Sequence, residues 1–201
     1  MDGIRLKRAL AAAALAAGVG VAVVAAPSPA SGAGEPRAEA TLRDAAGDVV
    51  GTVTFRGRGP NVDQVVVELS APGAPGLGSF HGIHVHSVGS CDPNPSGSTN
   101  VPFGSAGGHW NPTGATHGAH AGDLPSVLLD LDGRARARFE SHRIDVGALL
   151  DAAGDGSAVV LHAAPDNFAH IPATYGPPNA TTLGTGDAGG RVACGVITRT
   201  G

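Results

Sequence analysis

Six histidines and one aspartate in this 201-residue chain have the types and the spacing to hold metal ions. His84 and His86 stand two apart at the end of an apolar run, so on a strand both would point to one face. His109 follows in Gly107-Gly108-His109-Trp110-Asn111-Pro112. His117, His120 and Asp123 come next, three apart in a glycine-rich stretch, and His162 ends the run Val159-Val160-Leu161. A lone histidine is usually a hydrogen-bonded structural residue. Here six of the chain's nine fall on strand ends and one loop, beside an acid. Imidazole suits copper and zinc, and three imidazoles with one carboxylate make a closed tetrahedral zinc site. A single four-coordinate ion would leave three of the seven donors idle. Two ions sharing one imidazole would use them all.

Short strands must position these donors. Period-two alternation appears at Val49, Gly51, Val53 and Phe55 and again at Val65, Val67 and Leu69. Further apolar runs cover residues 80–85, 125–131, 135–139, 157–161 and 192–197, with Gly/Asp/Asn turn signals between several of them. About eight such strands predict an all-β antiparallel sandwich or flattened barrel. Only residues 144–152 read as helical. Residues 87–124 and 163–190 fit no strand, are rich in Gly, Pro, Asn and Thr, and carry most of the histidines. Loops this long in a compact domain are usually functional or disordered, and the histidines argue for function. His81 reads as a structural hydrogen-bonding residue, His142 and His170 as exposed loop residues, and Trp110 as packing. Arg134, Arg136 and Arg138 alternate on one strand and read as a solvated face.

The amino-terminal residues have the layout of a secretory signal peptide. Arg5, Lys7 and Arg8 precede an uncharged Ala/Val/Leu/Gly run at residues 9–26, and a small-residue stretch follows at 27–33. Cleavage is expected after Ala30 or Ala33, so that residues 1–33 are signal peptide and linker and residues 34–201 form one domain. An uncleaved anchor is the rival, but a run made mostly of Ala and Gly partitions weakly into lipid. Residues 1–33 carry a net +2, so their removal takes the formal charge from −4 to −6. An acidic domain with no lysine after Lys7 offers no footprint for nucleic acid. Cys91 and Cys194, the only cysteines, would pair as a disulfide in an exported protein. The alternative is two separate buried thiols. No Gly-x-Ser-x-Gly nucleophile or phosphate-cradling loop is present.

Four segments together resemble the copper/zinc superoxide dismutases, of the bacterial, exported type. They are Gly82-Ile83-His84-Val85-His86, the stretch from Ala106 to Pro112 around His109, Ala121-Gly122-Asp123-Leu124, and the stretch from Gly186 to Ile197. The resemblance implies an eight-stranded antiparallel Greek-key sandwich or barrel of immunoglobulin-like type with two long functional loops. It implies that His84, His86, His109 and His162 bind a copper ion. It implies further that His109, His117, His120 and Asp123 bind a zinc ion, with His109 bridging the two. Asp166 would link His84 to His117, Cys91 would pair with Cys194, and Arg191 and His109 would be the catalytic residues. The substrate would be superoxide, dismuted to oxygen and hydrogen peroxide outside the cytoplasm, in the envelope or secreted. No stable membrane partner is expected after cleavage, and a homodimer is left open. One departure stands out: only Gly118 and Ala119 separate His117 from His120, where the family usually has several more residues. Two rivals follow from it, a copper-only dismutase with a degenerate zinc site and a non-catalytic exported copper-binding protein.

Overall fold

Alternation at residues 49–55 and 65–69 places valines and a phenylalanine on one side of two strands, which must then be buried together. The computed structural model describes residues 37–57, 63–70, 78–94 and 101–200. In it the two runs are β2 (Val49–Gly57) and β3 (Asp63–Ser70), paired antiparallel, with Val53, Phe55 and Val65 fully buried. The expected signal peptide, residues 1–33 with cleavage near Ala30 or Ala33, lies outside the described residues.

A strand that the sequence pattern does not announce precedes them. β1 spans Arg37–Asp44, and its Ala38, Ala40 and Leu42 are fully buried while Arg37, Thr41 and Arg43 face outward. Alanine has little preference for strands, so the period-two signal rests there on one leucine. Neighbours decide the conformation instead. β1 pairs with β2 on one side, and on the other with β9 (Arg191–Val196) and the short β10 (Thr198–Arg199). The least strand-like sequence thus sits in the middle of the sheet.

Residues 80–85, expected as one strand, form two. β4 (Ser79–His81) pairs with β6 (Val127–Leu129), and β5 (Ile83–His86) pairs with β8 (Ala158–His162). Gly82 makes the break: a Cβ there would lie 2.9 Å from the Ala188 methyl and 3.2 Å from the His84 ring. The large sheet runs β5-β8-β9-β1-β2-β3-β7, with β7 at Arg134–Ser141, and β6 packs beside β7. Counting β4–β5 as one bent strand and β10 as an appendage, the fold is the expected curled, eight-stranded antiparallel barrel.

Helix is scarce. α1 (Val146–Leu150) falls inside the expected 144–152 and is capped by Asp145, whose carboxylate accepts from the Ala148 amide. α2 (Ala180–Thr185) lies in the stretch 163–190, where the sequence suggested only loop. Its Thr- and Gly-containing sequence is a poor helix former; the Asn179 side chain starts it by accepting from the amides of Thr181 and Thr182. Among the described residues no helix is long and apolar enough to cross a membrane.

β5 and β8 are buried on both faces. Ile83, Val85, Val159 and Leu161 point into the barrel core. His84, His86, Val160 and Ala158 alternate with them and point outward. That outer face is covered by a smaller apolar cluster of Phe103, Ala106, Ala158, Val160 and Cys194, supplied in part by the 87–124 stretch. Cys91 and Cys194 form a disulfide that pins this stretch to β9, across a separation of 103 residues. Reducing that bond should destabilise the protein by about 2–5 kcal/mol. Thermal melts with and without reductant check this, and coincident curves would mean that apolar packing alone holds the stretch in place.

Candidate metal centre

The outward face of β5 presents His84 and His86, and the end of β8 adds His162 from the neighbouring strand. Isolated bridges draw the covering loop onto β5, pairing His86 with His109 and His84 with Asp123. One donor atom from each of His84, His86, His109 and His162 lies within 4.8 Å of the others. A second group shares His109 with His117, His120 and Asp123, again within 4.8 Å. The structure therefore brings all seven candidate donors together as two groups joined at one imidazole. The two-residue spacer between His117 and His120 does not keep the second group from converging.

Five buried ring nitrogens in these groups have no hydrogen-bond partner: His84 Nδ1, His86 Nε2, His109 Nε2, His117 Nδ1 and His162 Nε2. A buried polar atom left unpaired costs about 1–3 kcal/mol. Four of them belong to the all-imidazole group and call for an electron-pair acceptor there; the fifth, on His117, lies 3.4 Å from Asp123 Oδ2 in the second group. The opposite nitrogens of His84, His86, His117 and His162 are engaged. His84 Nε2 and His117 Nε2 donate to the two oxygens of Asp166, each at 2.9 Å, and His86 Nδ1 donates to the Gly107 carbonyl at 2.9 Å. His162 Nδ1 donates to the Gly189 carbonyl at 3.1 Å, and His109 Nδ1 lies 2.8 Å from Asp123 Oδ1. Such partners fix ring orientation and decide which nitrogen carries the proton. The residues present fit copper at the all-imidazole group and zinc at the group with the carboxylate.

The electrostatics favour ligands over acids. Burial, assisted by the Arg191 charge, holds His86 well below the ordinary imidazole pKa; burial and the neighbouring His84 lower His162 to about 3. Burial also lowers His84, outweighing its bond to Asp166. Burial alone would raise Asp123 and Asp166. The His109 hydrogen bond and the flanking imidazoles overcome it and bring Asp123 to about 2, while the bonds from His84 and His117 lower Asp166. Burial thus disfavours the charged form of His84, His86 and His162, beside two ionised carboxylates.

Arg191 opens β9 directly opposite His162. Its two terminal nitrogens donate to the carbonyls of Phe103 and Gly107 at 2.5 and 2.6 Å. The Gly107 carbonyl thus serves both His86 and Arg191, and the disulfide fixes the segment that carries it. Carbonyl partners leave no mark in a sequence, so Gly107, Phe103 and Gly189 could not be picked out beforehand. The steric role of Gly186 is hidden in the sequence for a related reason. Its φ is +61°, and a Cβ there would overlap Asp166 Oδ1 and His117 Nε2. The remaining histidines do other things: His81 is buried with Nδ1 2.7 Å from the His162 carbonyl, and His142 and His170 are exposed. Trp110 packs in the main core.

Gly186→Ala should push Asp166 off His117 and weaken zinc binding about 10–100-fold, read by chelator competition. Unchanged affinity would show that the Asp166–His117 bond does not orient the ring. A pH dependence also follows for the metal-free protein. Below about pH 6.5 the unfolded chain takes up protons that the buried His86 and His162 refuse, His162 down to about pH 3, so stability falls as pH drops through that window. Below about pH 4 protonation of unfolded Asp123 adds to the loss. The urea midpoint should therefore be lower at pH 4.5 than at pH 7; equal midpoints would mean that solvent protons reach the folded imidazoles.

Comparison with known proteins bears on the same residues. The family model described as copper/zinc superoxide dismutase matches residues 49–197. The chain is 44% identical over 129 residues to a Cu-Zn superoxide dismutase of Mycobacterium tuberculosis, an alignment covering 59% of this chain and 52% of the relative. It thus spans about half the length of that relative. To a Cu-Zn superoxide dismutase of Deinococcus radiodurans it is 34% identical over 176 residues, covering 82% of this chain and 85% of the other. A crystal structure titled as the clock protein EA4 is similar, with 26% identity, a TM-score of 0.64 and coverage of 84% and 97%. With the family match running over most of the described strands and both histidine groups, the chain belongs to the copper/zinc superoxide dismutase family.

Proposed function

We propose that this protein is a superoxide dismutase, working outside the cytoplasm, that converts two superoxide ions to oxygen and hydrogen peroxide. His84, His86, His109 and His162 would hold copper, and His109, His117, His120 and Asp123 would hold zinc. The observation that carries this reading is the set of four orphaned, buried imidazole nitrogens in the group of His84, His86, His109 and His162, with His117, His120 and Asp123 meeting at the same His109 in a second group. Copper supplies one-electron redox chemistry when bound, and zinc, which does not change oxidation state, supplies fixed positive charge.

The chain's own residues do the rest. Arg191, anchored through two carbonyls, presents a guanidinium beside the copper-side imidazoles and docks the superoxide anion by charge-assisted hydrogen bonding. His109 Nε2 is the protonation point next to the docked anion, while its Nδ1, 2.8 Å from Asp123 Oδ1, is the atom this ring would offer to the zinc group. Asp166 keeps the protons of His84 and His117 on Nε2, so that their Nδ1 atoms stay free as donors. Export is supported by the leader-like residues 1–33 and by the disulfide. After cleavage we expect a protein with no stable membrane partner and no nucleic-acid partner.

A copper-only dismutase is disfavoured by the close approach of His117, His120 and Asp123, which would need no common focus without zinc. The clock-protein neighbour shares the fold, so fold alone does not decide activity; a bare copper carrier, however, would have no use for an anchored arginine facing the site. Metal content and dismutation measured on one purified sample test the reading. Wild type should carry both metals and be active. His86→Ala should lose activity by more than about 100-fold with the fold kept, and Asp123→Ala should lose zinc while retaining copper. Copper alone in wild type loaded with excess zinc would establish the copper-only rival; both metals without turnover would establish the carrier.

A further inference from the structure

The zinc-side donors sit on a loop with little length to spare, and several of its hydrogen bonds are internal. The amides of Gly118 and His120 donate to Asp123 Oδ2 at 2.7 and 3.0 Å, the Asp123 amide donates to the His120 carbonyl, and the Ala119 amide to the Thr116 carbonyl. These bonds shape the loop, and its Asp123 end also lies on β5, where the Val85 amide donates to the Gly122 carbonyl at 2.9 Å and His84 bridges to Asp123. One side is fixed from the 163–190 stretch: Asp166 holds His117, and the Phe168 backbone packs so close to Gly118 that a Cβ there would lie 2.7 Å from the Phe168 carbonyl. The other side faces an open cleft of about 350 Å³, lined by Asp123 and Leu124 of the loop and by Phe139 to Arg143 at the end of β7.

Arg143 reaches across that cleft. Its Nη1 donates to the Gly118 carbonyl at 3.2 Å and its Nη2 to the Asp123 carbonyl at 3.4 Å. One carbonyl lies between the two loop histidines and the other belongs to the carboxylate donor, so a single planar guanidinium spans the donor segment. Its own backbone is well held. The Arg143 amide donates to Ser141 Oγ at 3.2 Å, Ile144 is buried beside it, and Asp145 caps α1. Among the described residues Arg143 makes no ion pair. Its fork is committed to backbone carbonyls, a two-point geometry that a lysine ammonium cannot reproduce.

We propose that Arg143 is a positioning residue for zinc, a strap that holds the shortened His117–Asp123 loop against the barrel and keeps its donors converged. The inference rests on the zinc reading given above, because it needs these donors to bind zinc. It predicts that losing the guanidinium loosens zinc without unfolding the protein, since the side chain is exposed and covers no core.

The test uses Zn²⁺ alone as probe, in competition with a chromophoric chelator, on wild type, Arg143→Ala and Arg143→Lys. Arg143→Ala should weaken zinc about 10–100-fold and speed its release, with copper affinity kept within a few-fold. The melting temperature of the metal-free variant should stay within a few degrees of wild type. Arg143→Lys, able to serve one carbonyl at a time, should fall between the two. Zinc binding equal to wild type in Arg143→Ala would overturn the proposal, as would a parallel loss of zinc, copper and metal-free stability, which marks a general structural role. Failure of wild type itself to bind zinc would sink the zinc reading and the strap together, and so differs from failure of the strap alone.

Discussion

The Asp166 carboxylate, buried and shared between His84 Nε2 and His117 Nε2, is the contact on which the arrangement of both donor groups depends. His84 stands on β5 in one donor group, and His117 stands on a loop in the other. Each would be free to turn about its own χ angles without a common partner. A carboxylate with one oxygen for each ring removes that freedom from both at once and leaves Nδ1 of each unprotonated. The amide of Phe168 donates to Oδ1 at 2.7 Å, so the carboxylate is itself oriented. Its ionised state follows from the same contacts: burial opposes the charge, and the hydrogen bonds received outweigh it.

Room for that contact is made by glycines. Gly186 lies where any side chain would collide with Asp166 and His117, and its left-handed backbone also closes α2. At Gly122 a Cβ would run into the Val85 carbonyl, so its absence lets the loop lie on β5 closely enough for the Val85 amide to donate to the Gly122 carbonyl at 2.9 Å. At Gly186 the space is taken by the side chains of Asp166 and His117, and at Gly122 by the backbones of Val85 and Trp110. Donor convergence here costs side-chain volume elsewhere, which is one physical reason for the glycine-rich loops.

The disulfide reaches the chemistry by way of a single carbonyl. Cys91–Cys194 ties the covering stretch to β9, and β9 begins at Arg191. The same stretch returns Phe103 and Gly107 to the Arg191 guanidinium, and Gly107 also accepts from His86. The Arg191 guanidinium and the buried His86 imidazole are therefore indexed to one backbone atom. Rigidity in that segment becomes alignment between the two side chains.

The sequence by itself determined which side chains could act and the class of frame that would carry them. Histidines at positions 84 and 86 share a strand face because side chains alternate, and turn residues between apolar runs spell out a barrel of short strands. Local rules of that kind are written in order along the chain. Three further matters belong to tertiary structure. β1 is a strand because β2 and β9 flank it, since Ala38 and Ala40 carry too little strand preference of their own. Residues 80–85 divide at Gly82 because pairing passes there from Val127 to the distant segment at residues 162–164, which bonds the Gly82 amide and carbonyl. The partners that orient the donors, the carbonyls of Gly107 and Gly189 and the guanidinium of Arg143, come from distant segments and act mostly through backbone atoms. A backbone carbonyl is the same in every residue, so sequence cannot mark which one a side chain will find; only the folded chain chooses it.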